Sequence, residues 1–201
     1  GRAVQIRKVI QELEKAKRPL IYAGGGVTLS GACEELRSFA EKFRIPVVST
    51  MMGIGVMPTE HPMYFGMVGN NGKAYANRAM NESDLLIMVG ARVADRSVNQ
   101  PDIITHDKVL VHIDVDPAEI GKNAGPTIPL VGDARHIFAD FEKQEFVCEH
   151  EEWIERLNEY RRTMKQTRHP NQAYVDPEAF IRRLSERMEP DGVYVADVGQ
   201  N

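Results

Sequence analysis

Cysteine is scarce in this chain of 201 residues: Cys33 and Cys148 stand far apart, and neither belongs to a CxxC pair. That argues against a disulfide framework or a structural zinc site and fits a reducing, cytoplasmic setting. Long apolar runs are missing too. The longest, such as Leu85–Val89 and Val109–Val111, fall far short of the ~20 residues that cross a bilayer. No signal-peptide pattern opens the chain. There is no excess of positive charge: a net charge of −4 leaves no broad basic field, so nucleic acid and membranes are not expected partners. The histidines are scattered, and no His, Cys and carboxylate group has metal-ligand spacing. No Ser-His-Asp or Cys-His arrangement for a nucleophile is visible. Repeats and low-complexity tracts are also lacking.

What is present is an ordinary globular composition, 42% hydrophobic and 27% charged. One domain with an appendage is expected at this length, with a core large enough to fold without staples. Residues 4–17 space Val4, Ile6, Val9, Ile10 and Leu13 as a helix does, and Pro19 marks its end. PLIYAGGG then reads as a buried strand entering a tight turn. Residues 32–43 form a second amphipathic pattern, and IPVVST a Val-rich strand suited to burial on both faces. The alternation continues through a helix at 73–82 and the strand DLLIMVGA. The strands KVLVHIDVD and PTIPLVGD follow, then the helix ARHIFADFEKQ. Strand and helix at this cadence predict an α/β fold, a parallel sheet with helices on both faces.

After about residue 145 the character changes. The predicted organisation is a main domain over 1–145, an interdomain linker with a helix over 146–175, and the opening of another domain over 176–201. Trp153, Leu157 and Tyr160 make one stripe on the linker helix. Asp176, Pro177 and Glu178 supply an N-cap, a first-turn proline and a first-turn acid for the helix that follows. EPDGVYVADVGQN then leads into a new strand and stops, as if cut.

Four glycine-bearing turns follow strands: Gly24-Gly25-Gly26, Gly53-Ile54-Gly55, Gly90-Ala91-Arg92 and Gly132-Asp133. In a parallel sheet they share the carboxyl edge, where ligands bind. Glycine lets a backbone approach a phosphate; equally, strand-to-helix turns simply need glycine. The usual dinucleotide fingerprint is broken, because Gly24-x-Gly26 is followed by Leu29 at the third glycine position. Nor does the second strand end in a ribose-binding acid; it ends in Ser49-Thr50. Arg92, Asp95 and Arg96 would clamp a diphosphate or form a surface ion-pair network. Asp114 and Asp116 would accept ribose hydroxyls or cap the turn into Pro117-Ala118-Glu119. Met51, Met52 and Met57 read first as core.

Taken together, RPLIYAGGG, IPVVSTMMGIGVMP, GNNGKAYAN, SDLLIMVGARVADR, VHIDVDPAEIGKN and VGDA resemble the central domain of acetohydroxyacid (acetolactate) synthases, over about residues 18–140. The pairing of GARxxDR with HIDxDPAEIGKN is more specific than any lone glycine turn. YVADVGQN resembles the opening of that family's C-terminal thiamine-diphosphate-binding domain.

The resemblance implies a Rossmann-like six-stranded parallel sheet holding FAD. Gly24, Gly25 and Gly26 would approach the ribityl-phosphate portion. Thr50, Met51 and Met52 would line the flavin's path, with Val68 and Gly69 near the isoalloxazine side. Gly90, Ala91, Arg92, Asp95 and Arg96 would contact the diphosphate and its neighbours. Asp114 and Val115 would hold the adenosine end, and Gly132 with Asp133 would close over the adenine. Gln200 and Asn201 match positions that touch thiamine diphosphate. Asn70-Asn71 and Ala94 depart from the family's usual Met-His and acid.

The implied enzyme is a thiamine-diphosphate- and Mg2+-dependent transferase of branched-chain amino-acid biosynthesis. It condenses two pyruvates to 2-acetolactate, or pyruvate with 2-oxobutyrate to 2-aceto-2-hydroxybutyrate, with thiamine diphosphate as the electron sink. FAD would be largely structural. The implied partners are N- and C-terminal domains of the same polypeptide, a second copy in a homodimer, and a small regulatory subunit. The activating glutamate and the magnesium-binding segment would lie in the other domains, so no catalytic residue is expected here. Two other readings stand beside this one: a scaffold-only central domain of a flavin-free thiamine-diphosphate enzyme, and a stand-alone nucleotide-binding module.

Overall fold

The computed structural model describes residues 2–92, 106–122, 125, 127–164, 175–189 and 191–195. In chain order they form α1 (Arg2–Lys15), β1 (Pro19–Ala23), α2 (Gly25–Leu29), α3 (Cys33–Lys42), β2 (Val47–Ser49), a 3-10 turn (Met51–Gly53) and β3 (Tyr64–Met67). There follow α4 (Ala74–Glu82), β4 (Leu85–Val89), β5 (Val109–Asp114), β6 (Ile128–Val131), α5 (Ala134–Glu142), α6 (Glu151–Thr163) and α7 (Pro177–Ser185). The strands make one six-stranded sheet in the order β3-β2-β1-β4-β5-β6. Every pairing is parallel. This is the doubly wound arrangement, whose order reverses between β1 and β4.

Period-two alternation divides the core. Ile21 and Ala23 of β1, Ile87 and Val89 of β4, and Val111 and Ile113 of β5 point to one face. There they meet Ile6, Val9 and Leu13 of α1, Leu36 and Phe39 of α3, and Phe138 and Phe141 of α5. The intervening Leu20, Tyr22, Leu86, Met88 and Leu110 point to the other face, against Ala76, Ala79 and Met80 of α4. Because both faces are covered, all five residues of β1 and of β4 are buried, and the strands read as apolar runs rather than alternating ones. Phe39 lies 5.1–5.4 Å, centroid to centroid, from Phe43, Phe138 and Phe141, and so joins α3 to α5. At the amino edge the Asp84 carboxylate accepts from the Lys17 and Arg18 amides at 2.9–3.0 Å, which ties the entrance of β1 to that of β4.

The five strands read within residues 18–133 are all present, the strand expected near the end of the chain is not formed over its described residues 191–195, and the structure adds β3. Four residues long, broken by Gly66, and paired to β2 through a register shift, it shows no periodic pattern long enough to register as a strand. Arg161 covers the edge it occupies: its guanidinium lies 4.2 Å from the centre of the Phe65 ring and donates to the Tyr64 carbonyl at 2.5 Å.

The chain divides into two compact units, residues 1–164 and 165–201. In the first, α6 buries Trp153, Leu157 and Tyr160 on the second face of the sheet. The Trp153 indole donates to the Pro19 carbonyl at 3.0 Å. The Tyr160 hydroxyl donates to Glu82 at 2.9 Å, locking α6 to α4. The stripe expected on a linker helix is thus packed against the sheet. In the second unit Asp176 caps α7, its carboxylate accepting from Ala179 N–H at 3.0 Å. Residues 191–195 form no strand. Among the described residues no helix is long and apolar enough to cross a membrane.

Candidate functional site

The carboxyl ends of β1, β2, β4, β5 and β6 surround a cavity of about 650 Å³, a usual size for a small-molecule site. It lies at the switch point between β1 and β4, where the connections leave the sheet in opposite directions and open a crevice. Its floor and walls include Gly25, Gly26, Thr50, Met51, Met52, Gly90, Ala91, Arg92, Asp114, Val115, Gly132 and Asp133. Those positions lie far apart in the chain, and the sheet gathers them at one edge.

The glycines there do different things. A Cβ on Gly24 would collide with the Gly90 carbonyl, and a Cβ on Gly26 would stand 2.6 Å from Gly90 Cα. Gly24, Gly26 and Gly90 therefore serve the contact of two turns with each other. Gly25 faces outward, where a Cβ would meet Met52 at 3.1 Å.

Several backbone N–H groups of the edge are already used. Gly24 N–H donates to Val89 O, Thr50 to Ala23 O, Gly90 to Ile113 O and Gly132 to Asp114 O, each at 2.9 Å. Gly26 N–H donates to Gly90 O at 3.0 Å. The parallel ladder runs one residue past β1, β2, β4 and β6, so these five amides are not open to an anion.

The charged side chains of the lining are unevenly placed. Asp114, Asp116, Glu119 and Asp133 line the β5–β6 side. Asp114 accepts from Asp116 N–H, and Asp116 from Ala118 N–H, each through Oδ1 at 2.9 Å. Asp133 caps α5 through Oδ1, accepting from Arg135 N–H at 2.9 Å. The turn-capping reading of Asp114 and Asp116 is therefore realised with one oxygen of each carboxylate. Arg92 is the one cation among the described lining residues; its Nε lies 3.5 Å from Glu119 Oε2, while Glu119 Oε1 accepts from Lys122 at 3.0 Å.

The β1–β2 side is apolar. Met51 and Met52 are 74% and 77% exposed, and Leu29, at the position that breaks the dinucleotide fingerprint, is 91% exposed. The core reading of Met51 and Met52 is thus overturned, while Met57 is buried as expected. The two methionines sit on a 3-10 turn capped by Thr50, whose Oγ1 accepts from Gly53 N–H at 3.0 Å, and that turn holds them over the cavity.

Val68 and Gly69 lie outside the cavity lining. Val68 is core, and its N–H donates to Ser49 O at 3.0 Å, which sets the loop after β3 beside the Thr50 end. Asp95, Arg96, Ala94, Gln200 and Asn201 lie outside the described residues. Leu29, Ser30 and Glu119 line the cavity without having been anticipated. Leu29 alone left a trace in the sequence, as an apolar residue where the fingerprint wants glycine. No group of three or more metal-binding side chains occurs among the described residues.

A doubly wound parallel sheet with a ligand-sized cleft at its switch point places the chain in the doubly wound class of α/β domains. Within that class, residues 6–141 match the family model for the central domain of thiamine pyrophosphate enzymes, and the chain belongs to that family. It is similar to a probable acetolactate synthase large subunit of Methanocaldococcus jannaschii, at 38% identity over the whole chain and 36% of that relative. It is 37% identical to the acetolactate synthase large subunit of Corynebacterium glutamicum, over 99% of the chain and 33% of the relative. To that of Lactococcus lactis it is 34% identical, over 98% of the chain and 34% of the relative. The chain thus spans about a third of the length of these relatives.

Proposed function

We propose that this chain is the flavin-carrying central domain of an acetolactate synthase large subunit. The observation that carries the reading is the graded lining of the cavity. Carboxylates at the β5–β6 side suit the hydroxyls of an adenosine. Arg92 suits a diphosphate, because guanidinium donors match its oxygens. The exposed sulfur and aliphatic surface of Met51, Met52 and Leu29 suits a flat heteroaromatic ring. FAD carries those three chemistries in that order, so the residues present fit it.

In the whole enzyme, bound thiamine diphosphate would act as electron sink for condensing pyruvate with a second 2-oxo acid, with Mg2+ holding its diphosphate. The residues of this chain would position the flavin and shield its ring from water. By this reading residues 1–145 form the flavin domain, 146–175 a linker, and 176–201, with Gln200 and Asn201 near thiamine diphosphate, the start of the next domain. The whole polypeptide would be a cytoplasmic homodimer, with a small regulatory subunit as further partner. This chain alone would be inactive.

One observation favours the scaffold-only alternative: the amides of Gly24, Gly26, Thr50, Gly90 and Gly132 are spent on neighbouring segments, so none of these five is open to a phosphate. An FAD titration followed by flavin fluorescence and melting temperature decides between the two. Saturable binding that raises the melting temperature supports the flavin reading, since a ligand selective for the folded state stabilises it by about 2.7 kcal/mol at a hundred times its Kd. Arg96→Ala should then weaken binding. No saturation well above micromolar, in this chain and in the longer polypeptide alike, leaves the scaffold reading.

A further inference from the structure

Beside the cavity, at the carboxyl end of β3, the chain winds a small loop between Met67 and Lys73. Lys73 N–H donates to Met67 O and Gly72 N–H to Gly69 O, both at 2.9 Å, which closes it. A Cβ on Gly72 would stand 2.8 Å from Val68 Cα, so the loop has one tightly wound path. Asn70 and Asn71 are exposed at its tip. Its base adjoins the ligand edge, because Val68 is bonded to Ser49, the residue before cavity-lining Thr50.

One side chain from α4 holds this loop. Gly69 N–H donates to Asn77 Oδ1 at 2.8 Å, and Asn77 Nδ2 donates back to the Gly69 carbonyl at 2.9 Å. Only one orientation of a carboxamide satisfies both groups of a single residue, and no other side chain of that length carries a donor and an acceptor on one carbon. Gly69 has φ +115°, outside the range most side chains adopt. The clamp therefore fixes a conformation that local preference alone would leave to several alternatives.

We propose that Asn77 is a positioning residue for the ring end of the ligand site: it sets the loop Val68–Gly72, and through it the placement of Asn70 and Asn71. The inference rests on the flavin reading above. It takes from the resemblance that Val68 and Gly69 lie on the ring side, and adds that a half-buried asparagine of α4 shapes their loop.

The test compares FAD with ADP, which carries the adenosine diphosphate end without the ring, by titrating the whole chain and its Asn77→Ala and Asn77→Asp variants. Asn77→Ala should weaken FAD about tenfold or more, the scale of losing two hydrogen bonds, leave ADP unchanged and alter the absorption band of bound flavin. Asn77→Asp keeps an acceptor for Gly69 N–H but sets an oxygen against the Gly69 carbonyl. It should fall between the two and serves if the alanine variant does not fold. Parallel weakening of FAD and ADP, or no change in either, overturns the inference while leaving the flavin reading standing. FAD binding by neither the wild-type chain nor the longer polypeptide, with or without ADP binding, removes the flavin reading and this inference together.

Discussion

Gly26 and Gly90 touch backbone to backbone: Gly26 N–H donates to the Gly90 carbonyl at 3.0 Å, and no side chain fits between them. Gly90 also has φ +54°. The turns after β1 and β4 close on each other at the point where the sheet reverses its order. That contact brings Gly25 and Arg92 to one cavity.

Gly26→Ala should therefore destabilise the chain without any ligand, by roughly 3 kcal/mol or more, the upper range of overpacking costs. Gly25→Ala, whose Cβ would meet Met52 Cβ at 3.1 Å and the Met52 carbonyl at 3.2 Å, should cost less, about 1–2 kcal/mol. Urea unfolding at 25 °C measures both. Equal losses would mean that the two glycines are not divided between packing and cavity.

Arg92→Ala should leave stability nearly unchanged, because Arg92 is exposed and its contact with Glu119 is 3.5 Å long, and pairs of an exposed cation contribute ~0–1 kcal/mol. The same change should weaken FAD by about tenfold to a hundredfold, the scale of a lost charge-assisted contact. The loss should shrink as salt is added. Isothermal titration at two ionic strengths reports it; an unchanged affinity would remove Arg92 from the site.

His112 and His150 are buried, and no ring nitrogen of either has a hydrogen-bond partner among the described residues. Burial pushes both below the ordinary histidine range, against the opposing pull of Asp114 and Glu119 on His112 and of Asp84 and Glu151 on His150. A base with a depressed folded pKa binds fewer protons folded than unfolded. Stability is then complete above the unfolded value, about 6.5, and declines as pH falls toward the folded one. Unfolding midpoints should drop between pH 7 and pH 5. His112→Phe should flatten that decline, and an identical decline in the variant would exonerate His112.

Trp153→Ala should cost about 3–5 kcal/mol, as expected of a fully packed aromatic. Trp153→Phe, keeping the ring but leaving the Pro19 carbonyl without its donor, should cost about 1–2 kcal/mol. Circular dichroism during denaturation follows both. A negligible loss in the alanine variant would show that α6 is not part of the sheet's cover.

Much of this was legible in the residue pattern. The runs PLIYA, DLLIMV and VLVHID announce strands buried on both faces, and Asp176-Pro177-Glu178 announces a helix start. These are local signals: periodicity, capping and turn chemistry act within a few residues. β3 was illegible because four residues around Gly66 become a strand only by pairing with β2. The burial of α6 was equally hidden, since an apolar stripe does not say which surface covers it.

The sequence by itself determined the kind of fold and which turns meet at its carboxyl edge. Hydrophobic alternation between strands and helices admits little besides a parallel sheet, and such a sheet places every following turn at one edge. Only the tertiary structure decided what each residue does there. Gly24, Gly26 and Gly90 went to packing and Gly25 to the cavity; Met51 and Met52 turned to solvent while Met57 turned to the core; Asn77 reached back eight residues to hold Gly69. The physical reason is range. Propensity and pattern are properties of a short window, whereas contact, burial and hydrogen-bond pairing depend on which distant segments the folded chain brings together.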